Sequence, residues 1–463
     1  MKHPVSLHRL MPAATAAILA NLVLGGVPAF AEEQSTDEAP PPTTVEESPT
    51  SLDTTFGKTP TYGKQPVTLK EKLKNTTPFI RDTRLDINVR TFYYYRDKYD
   101  PSKFESWALG GAVSYQSGYF LDHFGAGATF YTSQPLYAPS DRSGALVLSE
   151  TQDGYAAWGQ LYGEIKVVDT VFVDLYRKEY NTPYINKQDN RMTPNTFEAY
   201  TLLGTYGGKE GAPELRYGAG YFTKMKPRNQ EGFDWMSKTA GATVDRGVLA
   251  AGANYKSKLF SFGAVDYFCD DVINIFYAEG RISHTFADKL GLLFAAQYSD
   301  QRSAGENLLT GSSFFTNQVG LKGEIGYEGA LMTLAYTIDG SGANLRTPWG
   351  SHPGYTSVQV QDFNRAGEEA FMLRLAYDCS KIGLDGLTTS ALWVHGWNRV
   401  DPAIRASVFN EDEYDLDIQW RAKEGVLKGF WPRVRYAHVE QRNGNDQSIN
   451  DLRVIVNYEI SVL

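Results

Sequence analysis

The sequence predicts an all-β protein: a transmembrane antiparallel β-barrel of about 18 strands behind a disordered N-terminal tether. Three observations predict it. From Leu452 to Val462 every even position is apolar and most odd positions are polar, the period of a strand with one face in an apolar phase and the other in water. The same alternation recurs upstream through residues 83–463. Its short connections alternate with long ones, as in barrels whose turns face one side of a membrane and whose loops face the other.

Composition agrees. The hydrophobic fraction is 42%, aromatics reach 13% with 29 Tyr, and mean hydropathy is −0.37. Strands that are only half apolar give such values. Beyond the N-terminus no segment approaches the ~20 apolar residues of a spanning helix, which excludes a helical inner-membrane protein.

The elements follow in order. Lys2, His3 and Arg9 precede the apolar stretch Leu10–Gly25, and Ala29-Phe30-Ala31 offers a signal-peptidase site. Residues 1–31 are therefore expected to be a cleaved signal peptide; Pro12, Asn21, Gly25, Gly26 and Pro28 argue against a membrane anchor. The segment 32–55 is acidic and Pro-rich, with Ala39-Pro40-Pro41-Pro42, and is expected to be disordered. Residues 56–82 read as a periplasmic lead-in, with one helical turn at Leu69–Leu73, and about fifty residues are too few for a plug domain. Residues 83–463 are expected to form the barrel. The first strand runs from Arg84 to Arg96, with Leu85, Ile87, Val89, Tyr93 and Tyr95 on one face and Asp86, Asn88, Arg90 and Arg96 on the other. Short links are expected at 118–122, near Asp169, and at 287–290, 380–387 and 423–430. Long ones are expected at 133–154, 179–196, 224–246, 301–315 and 339–369.

The formal charge is −9, near −11 once Lys2 and Arg9 leave with the signal. Seven acids lie between Glu32 and Asp53 with no Lys or Arg, so the remaining chain is close to balance. An acidic exterior excludes nucleic acid as a partner. Cys269 and Cys379 fall at opposite rims, too far apart for a disulfide. Neither they nor the seven His show metal-ligand spacing, so no metal or other cofactor is expected.

Selectivity in a barrel comes from charges aimed into the lumen. By alternation Arg90, Arg374, Arg421, Arg433, Arg435 and Arg453 face inward, and the first and last strands meet at closure. Five of the six thus form a basic ladder down one wall. Guanidinium matches carboxylate bidentately and stays charged. The competing reading is that inward Asp415, Asp417, Glu324 or Glu459 pair with these arginines and merely satisfy the interior.

Thr347-Pro348-Trp349-Gly350 with Asp362-Phe363-Asn364-Arg365-Ala366-Gly367-Glu368, Asn181-Thr182-Pro183 with Asp189-Asn190-Arg191-Met192-Thr193-Pro194, and Lys224-Met225-Lys226-Pro227-Arg228-Asn229 occur in that family's loops: the sequence resembles the OprD-type outer-membrane porins over Thr83–Leu463. Arg90–Asp97, Tyr377-Asp378, Gly383-Leu384 and Gly386-Leu387 fit as well. The acidic tail at 32–55 and the terminal Leu463, where an aromatic is usual, depart from the pattern. The resemblance implies a monomer in the bacterial outer membrane, in contact with lipid and lipopolysaccharide and inserted by the barrel-assembly machinery. It implies passive uptake of small solutes, carboxylates and amino acids among them, and inward folding of loops 179–196 and 339–369. Constriction candidates on or beside the second are Asp339, Arg346, His352, Tyr355, Asp362 and Arg365. If Asp339 or Asp362 reaches the eyelet, cationic or zwitterionic solutes are favoured; if only the arginines do, organic acids are.

Two other readings compete. A structural or adhesive barrel would lack a substrate path. An outer-membrane hydrolase would need a nucleophile, His and acid together at one rim, yet His123, His284, His352, His395 and His438 are scattered and no Gly-x-Ser-x-Gly occurs. No enzymatic activity is expected.

Overall fold

The computed structural model describes residues 73–99, 102–286, 290–442 and 447–463. The expected signal peptide, the acidic segment, nearly all of the proposed 69–73 turn and most of the 287–290 link lie outside them. The chain enters through a helical turn, Pro78–Arg81, whose Phe79 carbonyl accepts from the Gly118 amide at 2.9 Å. Strands β1 (Arg84–Asp97), β2 (Lys103–Gln116), β3 (Phe124–Tyr137), β4 (Tyr155–Val168), β5 (Val171–Lys178), β6 (Thr196–Gly207) and β7 (Glu214–Lys226) follow. Next come β8 (Asp234–Trp235), β9 (Val248–Lys256), β10 (Phe260–Cys269), β11 (Ile273–Phe286), β12 (Leu290–Ser303) and β13 (Phe315–Tyr327). The chain ends with β14 (Ala330–Asp339), β15 (Glu369–Asp378), β16 (Leu387–Trp397), β17 (Asn410–Trp420), β18 (Phe430–Arg442) and β19 (Ser448–Ser461).

All of them belong to one 19-stranded sheet. The two-residue β8 is a rung inside a loop, and β7 pairs past it with β9; the wall is an 18-stranded antiparallel barrel. Closure is made by β1 and β19, antiparallel from Asp86↔Ser461 to Arg96↔Asp451. Closed ladders leave no edge to satisfy in hydrocarbon.

Alternation assigns each strand two phases. On β19 Asp451, Arg453, Ile455 and Asn457 are buried within the barrel, while Leu452, Val454, Val456 and Tyr458 face out. Outward positions elsewhere include Val89, Leu109, Leu202, Phe262, Phe294, Leu321, Leu375 and Leu416, all exposed. A soluble protein does not leave so continuous an apolar belt in water. Lipid covers it.

The connections segregate as the sequence indicates. One rim carries tight turns such as Glu328–Gly329, where both residues have positive φ (44° and 89°), the geometry of a type I′ hairpin. The other rim carries the long loops. It also carries short ones that the alternation missed: β10 and β11 are joined there by residues 270–272 alone. Cys269 and Cys379 are both unpaired, at the ends of strands on opposite rims.

Val454 faces lipid and is matched with Tyr93 on β1 and Val434 on β18. Native protein should migrate differently before and after boiling in SDS gels. Val454→Pro, which removes an N–H at the seam, should abolish that difference; a variant that retained the fast form would contradict the closure.

Candidate functional site

The β15–β1 wall carries inward arginines in a definite register. Asp417 on β17 faces Arg435 on β18, Arg435 faces Arg453 on β19, and Arg453 faces Tyr94 on β1. Like charges directly opposed across a ladder repel, and acids on either side relieve the repulsion. Asp417 takes Arg433 bidentately, with Nη2 at 2.6 Å, and Arg435 Nε at 3.1 Å. Asp451 accepts from Arg453 Nε at 2.8 Å and Arg96 Nε at 2.6 Å. Arg374 on β15 points into the same wall, where Asp417 is its foremost opposite charge and Arg433 its like-charged neighbour.

Two long loops fold into the lumen and meet there. Loop 179–195 crosses to β10 and β12, where Tyr267 Oη donates to Thr182 at 2.7 Å and Tyr184 Oη donates to Ser299 at 3.0 Å. Its far end reaches β1, where Asp189 pairs with Arg90 at 2.5 Å. Loop 340–368 runs inward from β14 and reaches β17, three strands along the wall. The Val360 and Gln361 amides donate to Glu413 at 2.7 and 2.8 Å, and the Gln359 amide to Asp415 at 3.2 Å. Inward acids on β17 thus hold backbone rather than standing free in the bore. The loops are joined where Asn186 donates to the Trp349 carbonyl at 3.2 Å and the Ser351 amide donates to Asn186 Oδ1 at 2.9 Å. Trp349 is fully buried with Tyr184, Ile185, Phe197, Met236 and Tyr267, an apolar plug that fixes both loops within the barrel.

Between the joined loops and the β9–β11 wall, half the ring away from the seam, lies a cleft. Asn181, Asn186, Asn254, Tyr277, Glu279, Arg281, Ser351 and His352 line it. Glu279 pairs with Arg281 at 2.9 Å and accepts from Tyr355 Oη at 2.5 Å. The cleft mixes these polar groups with Pro183, Ala253, Ala264, Val265 and Pro353, and its Glu279 and Arg281 are paired. Among the described residues no group of three or more His, Cys, Asp or Glu is placed to hold a metal ion.

A sequence profile described as "outer membrane porin, OprD family" matches residues 77–462. The chain belongs to the OprD family. Porin D of Pseudomonas aeruginosa is 23% identical over 424 residues, covering 83% of this chain and 92% of that protein. Among solved structures, OccK9 (OpdG) of P. aeruginosa has a TM-score of 0.74 at 22% identity, covering 83% of this chain and all (100%) of that one. OpdK of P. aeruginosa, solved with vanillate, has a TM-score of 0.71 at 21% identity over 83% and 100% of the two chains. The protein is thus an outer-membrane channel for small solutes and not an enzyme. Its tight turns face the periplasm and its long loops the exterior.

The six predicted ladder arginines of this porin occupy different settings. Arg433, Arg435 and Arg374 cluster around Asp417. Arg90 and Arg453 are buried at the seam and engage the loops. Arg421 falls just beyond β17, on the periplasmic rim, with its side chain 47% exposed and Glu459 at 3.3 Å. Of the acids weighed as partners, Asp417 and Glu459 do pair with arginines; Glu324 pairs with Lys322 at 3.4 Å, and Asp415 holds Gln359.

The loop candidates also separate. Asp339, buried at the end of β14, accepts from Gln318 at 2.8 Å. Arg346 exchanges backbone bonds with Gln301, both at 2.8 Å, and stacks on Phe314. Asp362 accepts from Ser357 at 2.7 Å, and the Arg365 amide donates to Glu368 at 2.9 Å. His352 is buried against Tyr184, with neither ring nitrogen hydrogen-bonded. Burial pulls its imidazole below the usual range, against the opposing charge of Asp362. A Cβ on Gly354 would meet its Nε2 at 2.5 Å; the glycine makes room for the ring. Alternation signalled the inward face of Tyr94 and Asp451, but nothing local marked them, or Asp189, Gln359 and Glu413, as partners.

Glu368 closes loop 340–368 beside Arg399, which also pairs with Glu411 at 2.7 Å. Burial raises the Glu368 carboxyl from 4.5 to about 7, opposed by the Arg399 charge. A carboxyl whose folded value is raised favours the fold at low pH and loses that contribution as pH climbs from the unfolded toward the folded value. Glu368→Gln should therefore shrink the gap in gel-shift melting temperature between about pH 5 and about pH 8. An unchanged gap would remove Glu368 as its source.

Proposed function

We propose that this porin passes small water-soluble solutes that carry a carboxylate, organic acids and amino acids, and that Arg374, Arg433 and Arg435 are the groups that favour them. The carrying observation is the shared acid: Arg433 and Arg435 both pair with Asp417, and Arg374 faces the same carboxylate without an ion-pair partner within 4.0 Å among the described residues. Three guanidiniums gather on this stretch of wall, with Asp417 the foremost acid and Glu324 and Asp415 next to it, and charges in a low-dielectric wall focus their field on the bore. That OpdK was solved with vanillate, whose chemistry includes a carboxylate, supports the same reading. The proposal further takes residues 1–31 as a cleaved signal, 32–55 as a tether, 56–82 as a lead-in, and the working unit as a monomer.

Arg374→Gln tests it most cleanly. It should lower liposome swelling by carboxylates several-fold more than swelling by neutral sugars of like size, and shift ion selectivity toward cations. Removing Arg433 and Arg435 alone would leave Asp417 with Arg374 as its foremost counter-charge, and breaking a charge pair is destabilising, by up to about 3–5 kcal/mol where the pair is fully buried. The triple variant Arg433→Gln, Arg435→Gln, Asp417→Asn avoids that cost and should show the same bias. Equal losses for charged and neutral solutes in both variants would overturn the assignment.

A further inference from the structure

We propose that Arg90 and Arg453 are positioning residues: they hang the two inward loops from the closure seam and so set the bore of the passage rather than its preference for charge. The proposal rests on the channel reading and is independent of the carboxylate preference.

Arg90 is 8% exposed. Its Nε donates to Asn457 Oδ1 at 2.9 Å, which fixes the guanidinium plane against β19. Its two terminal nitrogens then grip Asp189 on loop 179–195, Nη1 to Oδ1 at 2.5 Å and Nη2 to Oδ2 at 3.1 Å. Nη1 also donates to the carbonyl of Arg191 at 2.6 Å. A planar fork with this many fixed acceptors holds a loop. Passing an anion along would require those bonds to be given up.

Arg453 does the same for the other loop. It is 2% exposed, its Nε is held by Asp451 at 2.8 Å, and its Nη2 donates to the carbonyl of Gln359 at 2.6 Å. The Gln359 side chain returns to Asp451 at 2.9 Å. Tyr94 packs between the two attachments, with Arg191 of the first loop 4.7 Å and Arg453 5.5 Å from its ring centre. Both loops therefore end on neighbouring strands, β1 and β19, and their joint at Asn186 and Ser351 spans the lumen between fixed points.

The test uses the full-length protein in planar bilayers, with variants that keep a cation at the seam. Asp189→Asn leaves Arg90 in place but removes its carboxylate; Arg90→Lys and Arg453→Lys keep the charge but lose the fork. Heat-modifiable migration checks that each barrel is intact, and Asp189, one-third exposed on its loop, is the substitution that spares the wall. If the arginines are tethers, all three variants raise single-channel conductance by about twofold and admit larger neutral sugars. Wild-type conductance and an unchanged sugar limit in Asp189→Asn and Arg90→Lys would overturn the proposal, because the charge alone would then suffice. Failure of the carboxylate reading shows elsewhere, as unaltered ion selectivity in Arg374→Gln.

Discussion

Asp451 is the group on which the interior depends. It is completely buried on β19 at the line of closure. Four donors converge on it: Arg453 Nε at 2.8 Å, Arg96 Nε at 2.6 Å, Tyr94 Oη at 2.9 Å and Gln359 Nε2 at 2.9 Å. A buried carboxylate is tolerated only when paired and fully hydrogen-bonded. These donors come from β1, β19 and the inward loop, so satisfying one charge joins the two ends of the sheet to loop 340–368. Closure of the barrel and placement of that loop are one interaction seen from two sides.

The same economy of charge runs along the wall. Glu413 and Asp415 accept loop amides, Asp417 takes two arginines, and Glu411 takes Arg399. Opposed Arg435 and Arg453 persist because acids flank them. The lumen is lined with ions but mostly balanced, and the proposed carboxylate preference rests on Arg374, whose ionic contacts are the loosest of the set.

Most of the barrel was legible because its physics is periodic. A period of two separates Asp86, Asn88 and Arg90 from Leu85, Ile87 and Val89, and the structure keeps them apart. Long loops were visible as interruptions of that period; the three-residue link 270–272 was not, because it interrupts almost nothing. The site was legible only in part. Alternation gives the direction of Arg433 or Arg453 but not the distance to Asp417 or Gln359, which register and loop path decide. Arg421 shows the limit: its parity is inward, yet β17 ends at Trp420 and the side chain lies on the rim. Asp189, Gln359 and Glu413 carry no local mark of their partners, which lie between 52 and 99 residues away in sequence.

The central claim is that loop 340–368 narrows an otherwise wide barrel, and its direct measurement is single-channel conductance with and without residues Gly350–Val358. This stretch starts just past the buried Trp349 and stops just before the Gln359 anchor. The account predicts that the deletion raises conductance and weakens discrimination among solutes while heat-modifiable migration persists. Wild-type conductance in a correctly folded deletion variant would contradict it, and would mean that the loop lies over the passage without limiting it.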